Sequence, residues 1–253
     1  MSDAIARPLS GRVALVTGAG QRLGREIALG LARLGADVAV HFNGSKDGAA
    51  QTVSAIAVDG NRAEAFQADL TQATSLQPMV AAVEAALGPI EILVNSAAIY
   101  LREDFLSTSL STLDSQWALN ARAPYLLTQL VAPGMKARGR GDVVNVLDVG
   151  GAINAWRHYS AYCMTKAALA SLTTCLSLEL APHIRVNGVA PGTVLPPVNL
   201  GPEVLEQLKA RVPQQRFGTP SDVVDTVCFL VAGPRFITGQ IIAVDGGRSL
   251  ATS

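Results

Sequence analysis

Residues 13–24 read VALVTGAGQRLG, and this stretch restricts the fold more than any other. A short apolar run breaks at a glycine-rich turn. Ile27, Leu31 and Leu34 then recur at the three- and four-residue spacing of a helix face. Strand, tight turn and helix in direct succession present backbone N–H groups and the positive end of a helix to a phosphate. Gly18 makes the tight turn, and Gly24 admits close helix packing. The spacing is not that of a Walker loop, and no Lys-Ser/Thr pair follows. The turn and the helix start, with Gly18, Arg22 and Leu23, are therefore assigned to the pyrophosphate of a dinucleotide. Arg22 stands where many such turns carry glycine; it either faces the phosphates or is a surface arginine.

The alternation begun by this unit continues along the chain. Short, almost wholly apolar runs at about 12–17, 37–42, 62–67, 90–95, 142–147, 184–189 and 240–244 alternate with helical patterns. Strands without polar alternation are expected when both faces of a parallel sheet are covered. The expected fold is α/β: a single-domain, Rossmann-type doubly wound parallel sheet of about seven strands flanked by helices, spanning residues 1–253. An apolar fraction of 49% supports so large a buried sheet and leaves room for apolar subunit contacts. Twenty basic and twenty acidic residues give zero net charge, which argues against a nucleic-acid channel. Cys163, Cys175 and Cys228 share no metal-like spacing and read as small core residues of a reducing compartment. With no signal-type leader and no membrane-length apolar run, a cytoplasmic protein with no membrane partner is expected. The long helical region at 110–136 carries Pro124 as a potential bend, and 148–158 reads as a loop.

In such a sheet, ligands bind at the carboxyl ends of the strands. The end of the second strand, VAVHFNGSKD, has no acid at His41, Phe42 or Asn43. Cofactors without a 2′-phosphate usually find Asp or Glu there. His41, Asn43, Ser45 and Lys46 offer donors to a 2′-phosphate instead, so NADPH is the expected cofactor. Asp69, after the third strand, reads either as a contact to the adenine edge or as a turn residue.

In YSAYCMTKAAL, Tyr162 and Lys166 lie four apart and share a helix face. An ammonium near a phenol favours the phenolate and makes the phenol a better proton donor near neutrality. The lysine also suits a nicotinamide ribose. Together with TGAGQRLG, Asn95 in NSAA, Asn120, IRVNGVAPG at 184–192 and FITGQIIAVDGG at 236–247, this pair makes the chain resemble the short-chain dehydrogenase/reductases over nearly its whole length. The resemblance implies a tyrosine that donates the proton, a lysine on the ribose, a proton relay at Asn120, cofactor contacts around Asn95, Pro191 and Gly192, and a homotetramer or, less often, a dimer.

That family usually has a serine at the end of the fifth strand, opposite the tyrosine. Here the stretch is NVLDVGG, with Asp148 fourteen residues before Tyr162, so the alignment requires a one-residue insertion. Aspartate in place of serine, and arginine in the turn, resemble the pteridine reductase subgroup. That resemblance implies an NADPH-dependent reduction of a pterin at a C=N bond. Arg22, Tyr100, Asp148 and Tyr162 would hold the substrate, Tyr100 stacking on its ring, and the loop at 193–202 would cover it. Gly44 departs from the subgroup, some members of which carry an arginine there for the 2′-phosphate. The alternative expectation is a carbonyl reductase of the 3-oxoacyl-thioester or sugar/polyol type. A third, a non-catalytic NADP-binding sensor, is opposed by the presence of both Tyr162 and Lys166.

Overall fold

All four residues of the first strand, β1 (Val13–Val16), are buried, yet they face two different cores. Ala14 and Val16 pack with one layer, Val13 and Leu15 with the other. The same division holds along the sheet, because successive side chains of a strand point to opposite faces. In the computed structural model, which describes residues 7–58, 60–195 and 201–251, the seven strands are all parallel, in the order β3-β2-β1-β4-β5-β6-β7. They are β1, β2 (Asp37–Phe42), β3 (Ala63–Gln67), β4 (Ile90–Asn95), β5 (Gly141–Val146), β6 (Ile184–Pro191) and β7 (Ile241–Val244).

One face is covered by α1 (Arg22–Arg33), α2 (Lys46–Val58) and a later helix at Pro220–Ala232. Ile27, Leu31, Ile56, Val224 and Val227 meet Val38, Ile92 and Val144 there. The other face carries α3 (Ala73–Leu87) and a long helical segment, with Leu76, Val83, Leu127 and Met135 against Leu15, Leu93 and Val186. That segment comprises α4 (Leu110–Trp117), a π-turn (Ala118–Arg122) and α5 (Ala123–Ala137). The sequence pattern suggested a bend at Pro124. Pro124 instead lies at the start of α5, directly after the π-turn, and the irregularity is that π-turn.

The expected loop at 148–158 contains a short turn of helix, α6 (Val149–Ala152). It precedes α7 (Ser160–Glu179), which carries the Tyr162–Lys166 pair. Then follow α8 (Pro202–Ala210) and α9, the Pro220–Ala232 helix already placed. Thr219 and Asp222 close a capping box at the start of α9. Strand order reverses between β1 and β4, so a crevice opens at their carboxyl ends. Of the cysteines, Cys175 is exposed and the other two are half-buried, so none is the fully buried core residue expected. Among the described residues no helix is long and apolar enough to cross a membrane.

Candidate active site

The turn after β1 is held from beneath. Gly18 has φ +69°, and a Cβ there would stand 3.1 Å from the Cα of Ala97. Its N–H donates to Nδ1 of His41 at 3.0 Å. His41 Nε2 lies 3.1 Å from the carbonyl of Ala68. The ring therefore carries its proton on Nε2 and is engaged at both nitrogens. Burial lowers its pKa below the ordinary 6.5, against the raising effect of the Ala68 carbonyl. His41 was expected to donate to a 2′-phosphate. The structure corrects this: the ring lies under the turn, neutral and already paired.

Above the turn lies a cleft of ≈ 380 Å³ lined by Gly18, Arg22, Leu23, Asn43, Ser45 and Asp69, among others. Asp69 Oδ1 accepts from the backbone N and the hydroxyl of Thr71, at 2.9 and 2.7 Å, so the turn role is realised. Arg22 begins α1 at φ +51°, a left-handed conformation unusual for a residue with a side chain, and its Nη2 donates to the Leu195 carbonyl at 3.3 Å. Asn95 does not reach the cleft. It is buried, donating from Nδ2 to Asn145 Oδ1 at 2.8 Å, and Asn145 donates to Thr173 Oγ1 at 2.9 Å. Its assignment to the cofactor is corrected to a link inside the sheet.

At the end of β5, Asp148 caps α6 with Oδ1 on the Gly150 N–H at 2.8 Å. The Tyr162 hydroxyl donates to Asp148 Oδ2 at 2.9 Å. Lys166 is buried, and its Nζ donates to the Val146 carbonyl at 2.8 Å and lies 5.7 Å from the Tyr162 ring centroid. Burial pulls the lysine down to about 8 and raises the Asp148 carboxyl. Burial, and then Asp148, push the Tyr162 phenol above its ordinary value. The sequence argument expected Lys166 to favour the phenolate. In the structure its ammonium is weakened and tied to a carbonyl beside the ring, so Tyr162 holds its proton.

Asn120 sits in the π-turn. Its Oδ1 accepts from the Ile99 N–H at 2.8 Å; its Nδ2 donates to the Ile99 carbonyl at 2.8 Å and to Thr165 Oγ1 at 3.1 Å. Both amide donors are occupied, so the side chain ties the segment after β4 to Thr165 of α7. Pro191 ends β6, and the Gly192 N–H donates to the Val244 carbonyl at 3.0 Å. Tyr100 stacks on Tyr159, with centroids 4.7 Å apart, and meets Tyr162 edge-on at 4.8 Å. Trp156 and Tyr159 complete this wall; from the sequence Tyr159 competes with Tyr162 by proximity alone and lacks the lysine four residues on, while Trp156 carries no signal beyond its place in the loop. Of the 193–202 loop, residues 196–200 lie outside the described part of the chain.

Comparison with known proteins agrees with this geometry. A family model described as enoyl-(acyl carrier protein) reductase matches residues 18–249. The 3-oxoacyl-[acyl-carrier-protein] reductase FabG of Staphylococcus epidermidis is 34% identical over 238 residues, covering 92% of this chain and 97% of that protein. The chain is a short-chain dehydrogenase/reductase. The L-xylulose reductase of Bos taurus, from the same comparison, is 35% identical over 94% of this chain and 97% of its own. The crystal structure of a gluconate 5-dehydrogenase from Burkholderia cenocepacia in complex with NADP and tartrate superposes with a TM-score of 0.90 at 29% identity, covering 98% of this chain and all of that one. NAD(P)(H) use goes with the family.

These relatives overturn the expectation of a pterin substrate, since they are named for 3-oxoacyl, xylulose and gluconate chemistry. The structure supplies the physical reason the residues misled. One face of Tyr100 is already covered by Tyr159, and the Arg22 side chain is turned to the 195 carbonyl. Neither is laid out as half of a ring sandwich.

Proposed function

We propose that the chain is an NADPH-dependent carbonyl reductase of the 3-oxoacyl-thioester or sugar/polyol type. One observation carries this reading: the Tyr162 hydroxyl 2.9 Å from Asp148, beside a buried Lys166, at the carboxyl edge of the sheet next to the cleft. When bound, the reduced nicotinamide supplies a hydride to the carbonyl carbon. The substrate oxygen takes the place of Asp148 as acceptor for the Tyr162 proton. The alkoxide that hydride addition would leave is a stronger base than an ordinary phenolate, so the Tyr162 proton passes to the substrate oxygen. Asp148, where the family usually has a serine, accepts from the Tyr162 hydroxyl and holds it in place until the substrate oxygen arrives. Lys166 retains two N–H groups for ribose hydroxyls, and Asn120 acts as a positioning residue.

The cleft fits a dinucleotide. Besides the crowded Gly18, a Cβ on Gly24 would stand 2.3 Å from the Gly18 carbonyl oxygen, so the turn closes only without side chains. Gly18, Arg22 and Leu23 border the pyrophosphate, and Pro191 and Gly192 the nicotinamide side. For the 2′-phosphate, Asn43 and Ser45, which line the cleft at the start of α2, replace the expected His41. No carboxylate stands at the end of β2. We further propose that residues 1–253 act as one catalytic unit, that the protein is cytoplasmic, and that it works as a homotetramer.

The test is NADPH oxidation with L-xylulose, a keto-gluconate and an acetoacetyl thioester, with NADH in parallel. Turnover of at least one ketone, with about a tenfold preference for NADPH, is expected. Failure on all carbonyls, or preference for NADH, refutes the corresponding part of the reading.

A further inference from the structure

Beyond Tyr100 the wall of the site continues to a cation. Arg248 begins a short 3₁₀ turn (Arg248–Leu250) just after β7. Its Nη1 donates to Thr193 Oγ1 at 2.7 Å, and its guanidinium carbon lies 5.5 Å from the Trp156 ring centroid. Trp156 stands 6.4 Å from Tyr100, which stands 4.8 Å from Tyr162. Trp156 is itself fixed, since a Cβ on Gly150 would be 2.6 Å from its ring.

The turn that carries Arg248 is also fixed. Asp245 accepts from the N–H groups of Gly247 and Ser249, at 2.9 and 2.7 Å. That carboxylate is committed to backbone, and among the described residues no acid forms an ion pair with Arg248. A half-buried guanidinium oriented by a hydroxyl on one side and an indole on the other is one half of an ion pair, already preorganised. Its field reaches the site, opposing the upward shifts of both Asp148 and Tyr100.

We propose that Arg248 anchors a carboxylate of the substrate, so that the enzyme selects keto acids over neutral ketones. This rests on the carbonyl-reductase reading above. A neutral ketose offers this guanidinium only hydroxyls. A carboxylate offers a planar pair of oxygens to the N–H groups that Thr193 leaves available, while the ketone end lies against Tyr162 and Asp148.

The experiment compares a keto-sugar acid with its methyl ester, the same ketone with and without the charge, in the parent enzyme and in Arg248→Gln and Arg248→Lys. The parent should favour the acid by about 30-fold in kcat/KM, the size expected for one hydrogen-bonded charge. Arg248→Gln should remove most of that preference, chiefly through KM, and Arg248→Lys should retain at least a third of it. A parent that reduces the ester as well as the acid overturns the proposal and leaves the carbonyl-reductase reading intact; so does an unchanged ratio in Arg248→Gln. If the parent reduces neither, the carbonyl-reductase reading fails, and malonate binding decides the role of Arg248. It is read from Trp156 fluorescence in a Trp117→Phe background, where one tryptophan is left. Saturable binding that Arg248→Gln abolishes supports the anchor, and its absence overturns it.

Discussion

His41→Leu tests how the glycine turn is held. The substitution roughly conserves volume but leaves the Gly18 N–H and the Ala68 carbonyl without their partner. A buried backbone group left unpaired costs about 1–3 kcal/mol, so the two together predict a loss of about 3 kcal/mol at pH 8. The pH dependence carries its own signature. Burial holds the imidazole below its ordinary 6.5, so as pH falls the unfolded chain takes up this proton before the folded one. The stability His41 contributes is whole above pH 6.5 and is lost as pH falls below it, by at most about 1.4 kcal/mol per pH unit. Urea unfolding at pH 8 and pH 5, at fixed protein concentration, should show the parent losing up to about 2 kcal/mol more than the leucine variant over that interval. NADPH affinity should fall about tenfold, because the turn that meets the pyrophosphate loses its support. A leucine variant within about 0.5 kcal/mol of the parent at pH 8, with the same pH slope, would refute the role given to the ring.

Tyr162→Phe keeps the ring against Tyr100 but removes the proton; turnover should drop about 10²- to 10⁴-fold while NADPH binding, followed by fluorescence, is unchanged. Arg22→Gly should separate two effects. Relief of φ +51° should raise stability by about 1 kcal/mol, while loss of the guanidinium should weaken NADPH about tenfold; a lower melting temperature would show that the backbone there is not strained. Asp142→Asn should cost about 3–5 kcal/mol by urea unfolding, since Arg12 and Arg185 each stand 2.6 Å from that buried carboxylate. Because Asp142 lies at the start of β5, away from the cleft, NADPH affinity should not change; a large loss of affinity would contradict that separation.

The architecture was legible because it rests on pattern. Apolar runs such as ILVN at the end of β4, each followed by a helical period, specify parallel strands and covering helices without reference to any one side chain. The Tyr162–Lys166 pair was legible for a similar reason: four residues on a helix fix a shared face. Side-chain direction in the strands was not. In β2 every residue from Val38 to Phe42 is buried, so no polar alternation marks which face His41 takes. Asn95 was misplaced on the same ground. The substrate class was misread through Arg22, Tyr100 and Asp148, because residue type alone does not reveal that Tyr159 already occupies a face of Tyr100. Arg248 lies 82 residues beyond Lys166 with no spacing rule to connect them, and only the sheet brings it beside Trp156.

The amide link between β4 and β5 bears on positional accuracy. Asn95 and Asn145 are register partners, next to the aliphatic pairs Leu93–Val143 and Val94–Val144. A slip of two residues would keep every side chain on its proper face and exchange one aliphatic contact for another, so apolar packing alone discriminates weakly against it. It would, however, strand both amides in a dry interior. It would also carry Asp148 about 6.6 Å along the sheet, at about 3.3 Å per residue, well beyond reach of the Tyr162 hydroxyl. A pair of buried amides remote from the chemistry thus acts as a ruler that sets where the proton donor and its neighbour meet.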